Sequence, residues 1–360
     1  MNPSTQRITA LDYARAWAIF GMIIVNYTLA MQAEQEGTTW LRVVSGMLQG
    51  RASALFVILA GIGVSLMTAK ARKSMDRAML RQQRMSLYRR SVFLFGAGLL
   101  LLLMGWNADI LHYYAVFMLV AAALFHISDR KLLGLAAVIL LVSQWGLIQF
   151  DYSEGWDSSF HVYNGFWTVE GFIRNLVFNG FHPIFPWVCF FLIGMWMGRK
   201  RGLLAKENRQ KLLFYSLLGT VVLETLSYYL IQFSSSVLDT DSAHYLFSTK
   251  PMPPTLLYVL SATSSAVAII AISLYIVHAL GNAALTQAMI HTGQLSLSHY
   301  IGHIVIGLGI LEMVDYLENG SLAFAVAYGC AYFMLAILFS YVWRKIMPRG
   351  PIELIMRKVC

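Results

Sequence analysis

The chain has 360 residues, of which 58% are hydrophobic and 12% charged; a soluble domain carries about 25% charged residues, so an ordinary soluble fold is excluded. The net charge of +9 does not point to nucleic acid, because the basic residues cluster in loops beside apolar runs, where they orient a membrane protein and meet anionic lipid. Cys189, Cys330 and Cys360 show no pairing or CxxC spacing, which excludes a disulfide framework and a thiolate metal site.

Apolar runs near 20 residues recur along the chain without the alternation of a barrel strand. They predict an all-α, polytopic integral membrane protein of about ten transmembrane helices. In chain order the spans are 11–33, 52–69, 91–106, 113–128, 132–150, 176–198, 212–233, 255–280, 294–314 and 321–343. The first contains Asp12 and Arg15 and is too long for a signal-peptide core, so it reads as a retained helix. No internal repeat, paired broken helices or separate soluble domain is visible, and residues 1–360 read as one transmembrane domain.

Loop charge sets the expected orientation. Eight basic residues from Lys70 to Arg90 stand against one acid, Asp76. Residues 199–211, Arg130, Lys131, Arg7 and the basic residues after 343 fall on the same side when the N-terminus is cytoplasmic. The opposite topology inverts the ratio, so both termini are expected in the cytoplasm and the protein in the cytoplasmic (inner) membrane. The outward loop 151–175 is acidic and aromatic, with Trp156, Phe160, Tyr163 and Trp167. It suits either headgroup anchoring or a lid over a pocket.

Ionisable groups inside membrane helices are costly and often functional. At the inner edge, "ALDYARAW" places Asp12 and Arg15 at i, i+3, as a local ion pair or as a contact for an anionic ligand. "SLSHYIGH" places His299 and His303 at i, i+4, as interhelical hydrogen-bonding groups or as a binding pair. That spacing can hold a metal, but no carboxylate partner motif accompanies it, and no metal is expected. Glu224 in "VVLETLSYYL" is a mid-span carboxyl, suited to an interhelical bond or to a proton relay.

At the outer edge, Asn26 ends the first span, Arg51 opens the second, and "NADILHYY" contributes Asp109 and His112. His182 begins "HPIFPW", 17 residues before Arg199, or about 25 Å of helix. Pro183 and Pro186 are expected in the first turn of that helix. Asn26, Arg51, Asp109, His112 and His182 thus lie at similar depth, as a polar pocket would require.

These residues carry a resemblance. "LDYARAWAIFGMIIVNY", "GRASALFVILAGIGVSLM", "RRSVFLFGAGLLLLLMGWNADILHYYAVFMLV", "HPIFPWVCFFLIGMWMGR" and "TGQLSLSHYIGHIVI" resemble, in order, segments of the YeiB-like membrane proteins and of heparan-alpha-glucosaminide N-acetyltransferase. The resemblance implies a ten- or eleven-helix acyltransferase with a tunnel, taking acyl-CoA from the cytoplasm and holding the acceptor on the other side. Arg15, ten residues and then Asn26 is also similar to the first-helix motif of acyltransferase family three, which has a catalytic His where this chain has Asn26. Heparan-alpha-glucosaminide N-acetyltransferase carries its catalytic His soon after the first helix. Residues 27–111 here contain no histidine, so another base must serve.

The resulting expectation is acyl transfer, acetyl above all, from acyl-CoA to an envelope glycan, a lipid-linked sugar or a small molecule. His182 or His112 is the candidate base, Asp109 orients a histidine and Asn26 binds the oxyanion. Arg15, Asp12, His299 and His303 are candidates for holding the donor, and Arg51, Trp187 and Tyr114 for the acceptor. The bilayer is the expected partner, a homodimer is a candidate assembly, and nucleic acid is not expected. The rival expectation is a transporter or flippase with a proton-linked Glu224.

Overall fold

A computed structural model describes residues 8–317 and 320–360; Arg7, counted above with the inner basic residues, lies outside them. In chain order the helices are α1 (Thr9–Ala30), α2 (Thr39–Leu48), α3 (Arg51–Met67), α4 (Ala69–Ser74), α5 (Arg77–Leu103), α6 (Leu111–Leu124), α7 (Asp129–Gln149), α8 (Val169–Arg174) and α9 (Ile184–Arg199). There follow α10 (Arg209–Ser234), α11 (Thr240–Phe247), α12 (Leu256–Leu280), α13 (Ala284–Gln294), α14 (Ser296–Gly302), α15 (Gly309–Met313), α16 (Leu322–Ile346) and α17 (Pro351–Val359). Two π-helical segments, Asn175–Asn179 and His303–Leu308, lie after α8 and after α14. Among the described residues no strand forms; a single antiparallel bridge joins Trp156 to Tyr163.

The all-α expectation holds, but the number of spans differs. Among the described residues six helical stretches are long and apolar enough to cross a membrane, or eight if each of two bent pairs is one span. The two spans that drop out have visible causes. α1 interrupts its apolar run with Asp12, Arg15 and Asn26, and α6 has only 14 residues. The bent pairs overturn a second expectation, that no paired broken helices occur. Val169–Asn179 meets Ile184–Arg199 at 47°, and Ala284–Gln294 meets Ser296–Met313 at 73°. At the first break, Phe185 is non-helical (φ −96°, ψ 117°), because a residue before proline is pushed out of the α region. The turn containing both prolines is therefore less regular than the sequence suggested.

The chain divides into two compact units. The first comprises the chain up to Phe56, Leu204–Phe214 and Ala266–Lys358; the second comprises Val57–Leu203, Tyr215–Ser265 and the last two residues. In the first unit, α1, α13 and α16 pack on one another. Ala14, Ala16 and Ala18 on α1 are fully buried, and such small side chains let helices approach closely where lipid supplies no hydrophobic drive. The approach is tightest at Gly293, where a Cβ would overlap the Asp12 carbonyl.

In the second unit, α5 and α6 form an antiparallel hairpin and α7 packs on α9. Asp76 caps α5 by accepting the Met79 N–H at 2.9 Å. Ser91 on α5 donates to the Ala115 carbonyl of α6 at 2.7 Å. Val221, Val222 and Phe233 on α10 are apolar and exposed, as lipid-facing side chains are.

Candidate functional site

The turn between α5 and α6 builds the most distinctive polar site. Asp109 Oδ2 accepts the backbone N–H of His112 at 3.0 Å and meets His112 Nδ1 at 2.8 Å. A carboxylate only accepts, so Nδ1 carries the proton, and in the neutral ring Nε2 keeps its lone pair. That Nε2 is buried and has no hydrogen-bond partner among the described residues. Asp109 is 0% exposed and His112 1%. The pair fits because α5 offers Gly98 at the crossing: a Cβ there would lie 2.5 Å from His112 N and 2.6 Å from Asp109 Oδ2.

Aromatic rings extend the site. Tyr113 lies 3.8 Å, centroid to centroid, from His112 and 5.9 Å from His182. His182 lies edge-on to Trp187 at 4.6 Å. Tyr113 donates its hydroxyl to Asn175 Oδ1 at the first position of the π-helix. π-Helical turns gather at functional sites. His182 Nδ1 and Trp187 Nε1 are also buried without partners among the described residues. Histidines 112 and 182, distant in sequence, therefore flank one tyrosine, with an acceptor nitrogen and an indole donor left unused.

The loop 151–175 packs beside this region and divides the two expectations for it by residue. Trp156, Tyr163 and Phe166 are buried and pack with Leu102, Phe172 and Phe181, while Trp167 is 62% exposed and suits the headgroup zone. Phe172 reaches His112 at 6.4 Å. Asn179 pins the loop: it accepts from the Tyr163 hydroxyl at 2.9 Å and donates to the carbonyls of Tyr152 (3.0 Å) and Glu154 (2.7 Å). Its own carbonyl accepts from Trp156 Nε1 at 2.6 Å. Arg174 ties Tyr163 to Glu154 at 2.9 and 2.5 Å. Asn179→Ala strands the buried hydroxyl and carbonyls at roughly 1–3 kcal/mol each. It is expected to open residues 152–168 to protease well before global unfolding; cleavage unchanged from wild type would contradict the pinning role.

The remaining sequence candidates fall as follows. In the first unit, Arg15 Nη1 pairs with Asp12 Oδ1 at 2.6 Å, and Gln294 donates to Asp12 Oδ2 at 3.3 Å. Asn26 Nδ2 meets His303 Nε2 at 2.9 Å, and His303 Nδ1 meets the His299 carbonyl at 3.2 Å. Asn26 and His303, read above at opposite ends of the membrane, are thus direct partners. His299 turns instead to Ser340 Oγ at 2.6 Å, so the i, i+4 histidines serve different neighbours. Arg51 opens α3 in the first unit. In the second unit, Tyr114 packs on Phe191 at 5.9 Å. Glu224 accepts from Ser261 Oγ at 2.5 Å and Thr249 Oγ1 at 2.9 Å, an interhelical role.

Four contributors were missed: Tyr113, next to the Tyr114 that was named, Asn175, Asn179 and Gly98. Asn175 and Asn179 formed a visible signal, two amides four residues apart in the apolar run "NLVFN". Gly98 carried none, since Gly96 one turn-fraction away faces open space.

The family described as heparan-alpha-glucosaminide N-acetyltransferase, catalytic, matches residues 7–233, a stretch that contains Asp12, Arg15, Asn26, Asp109, His112 and His182. A family of proteins of unknown function, DUF418, matches residues 197–360, which contain His299 and His303. No curated protein matches the sequence significantly. The chain belongs to the heparan-alpha-glucosaminide N-acetyltransferase catalytic family.

Proposed function

We propose that residues 1–360 form one membrane-embedded acyltransferase domain, moving an acetyl group from cytoplasmic acetyl-CoA to an acceptor on the non-cytoplasmic side of the inner membrane. The observation that carries the reading is the Asp109–His112 pair. Asp109 fixes the imidazole so that a buried Nε2 has no hydrogen-bond partner among the described residues, the arrangement a general base needs. In the reaction, the acceptor O–H or N–H gives its proton to His112 Nε2 as its oxygen or nitrogen attacks the thioester carbonyl. The C–S bond then breaks, and the proton passes to the departing sulfur, giving free CoA thiol. Trp187 Nε1–H and His182 line the same cluster and contact the acceptor. Arg15, held by Asp12, attracts the CoA phosphates, for which a guanidinium has a matching donor fork. The acceptor is a glycan, a lipid-linked sugar or a small molecule.

The proposal is tested by equilibrium binding of acetyl-CoA to purified protein. Micromolar to millimolar binding that weakens in Arg15→Gln and at high salt is expected. Absence of binding by any short acyl-CoA would overturn it.

One observation favours a second reading. Broken helices meeting at polar residues build the central sites of many transporters, and two such breaks occur here. Proton-linked flux in proteoliposomes, abolished by Glu224→Gln, would support transport. The hydrogen bonds of Glu224 to Ser261 and Thr249 predict instead that Glu224→Gln preserves function, since an amide oxygen still accepts.

A further inference from the structure

The 73° break between α13 and α14 exposes a problem that the C-terminal helix solves. The first amides of a helix have no partner within it, and lipid offers none. Here Glu353 of α17 supplies them. Its Oε1 accepts the Leu297 N–H at 2.9 Å and the Ser298 N–H at 3.2 Å, and its Oε2 accepts the Ser298 hydroxyl. Ser298 Oγ in turn accepts the Ile352 N–H at 3.0 Å. The negative carboxylate also suits the positive end of the new helix. The turn so held leads to His299 and then to His303, the partner of Asn26.

The outer side of the same helix has a different character. Ile352, Ile355, Met356 and Val359 share one helical face, and Ile355 and Val359 are 51% and 60% exposed. Arg357 and Lys358 lie off that face and are exposed. Upstream, Lys345 sits over the Tyr341 ring at 4.4 Å, and exposed Ile346 and Arg349 precede the helix. From residue 344 to the end there are five basic residues and one acid, Glu353, and the acid is consumed inside. Apolar side chains flanked by the exposed charges of Arg357 and Lys358 match an anionic lipid surface.

We infer that α17 is a lipid-binding latch: its apolar and basic faces seat on anionic phospholipid headgroups, and Glu353 transmits that seating to the break between α13 and α14. The occupant is the membrane surface itself, chosen because the charge excess and the interfacial apolar face occur together.

The test is hydrogen exchange of the full chain in vesicles of phosphatidylcholine alone or with phosphatidylglycerol. Anionic lipid is expected to slow exchange roughly tenfold in 351–359 and in 296–303, the order expected from a few surface charges. In the double variant Arg357→Gln, Lys358→Gln both effects of anionic lipid disappear. In Glu353→Gln the effect persists at 351–359 and disappears at 296–303. Exchange at 351–359 that ignores lipid charge would overturn the surface. A lipid effect at 296–303 that survives Glu353→Gln would overturn the latch. The charge-preserving pair Arg357→Lys, Lys358→Arg in the full chain keeps the fold and both effects of anionic lipid; loss of the effect at 351–359 in that pair would overturn the surface.

Discussion

Replacing His112 with alanine is expected to lower acyl transfer by roughly 10²–10⁴-fold while leaving acetyl-CoA affinity within a factor of about three, because the imidazole acts on the acceptor's proton and not on the donor's phosphates. Asp109 acts through His112 as a positioning residue. Asp109→Asn keeps the side-chain shape but removes the charge that holds Nδ1–H, so it should lower kcat with little change in KM and alter the pH–rate profile. A structural role alone would lower the amount of folded enzyme and leave the profile of the remainder unchanged. His182→Ala separates the two histidines. Its Nδ1 is also without a partner among the described residues, but no carboxylate fixes its ring, so the expected loss falls on KM for the acceptor. A larger kcat loss in His182→Ala than in His112→Ala would reverse their roles.

The second large effect is expected at Gly98. A methyl group there meets a backbone nitrogen at 2.5 Å and a carboxylate oxygen at 2.6 Å; the nitrogen is fixed in the helix and the carboxylate is held by its bonds to His112. Overpacking of this kind costs about 1–3 kcal/mol, and α5 and α6 relieve it by moving apart. A shift near 1 Å in a reacting group costs about 10²-fold in rate. Gly98→Ala should therefore yield folded protein that melts several degrees lower and turns over about a hundredfold more slowly. Gly96→Ala, two residues away where a Cβ meets nothing within 4 Å, is the matched control. Equal activity in the two variants would show that the dyad tolerates displacement.

Much of this site could be read from the sequence because its parts are local or chemically conspicuous. Asp109 and His112 are three residues apart, within one turn, so their pairing needed only a helix start. His182 stood out as a histidine before a proline-stiffened helix. The inner pair of Asp12 and Arg15 followed from the same i, i+3 logic. What escaped was non-local. No spacing rule joins Asn26 to His303 across 277 residues of chain. The depth estimate set them at opposite edges of the membrane, and it also had no sign of the 73° bend at Leu295, just before the helix that carries His303. Nothing in the composition of "HTGQLSLSH" announces that bend, since the group that satisfies the opened amides, Glu353, lies more than fifty residues later. The span count failed for a related reason. Hydropathy reads α1 as a membrane helix, but Asp12, Arg15 and Asn26 dilute its apolar run.

The most direct test is thiol release from acetyl-CoA by the full chain in lipid nanodiscs, with an envelope lipid and glycan fraction as acceptor. The account predicts release that requires the acceptor, saturates with acetyl-CoA and is lost in His112→Ala while acetyl-CoA still binds. Acceptor-dependent release that continues at the wild-type rate in His112→Ala would contradict it, as would failure of the wild-type chain to bind any short acyl-CoA.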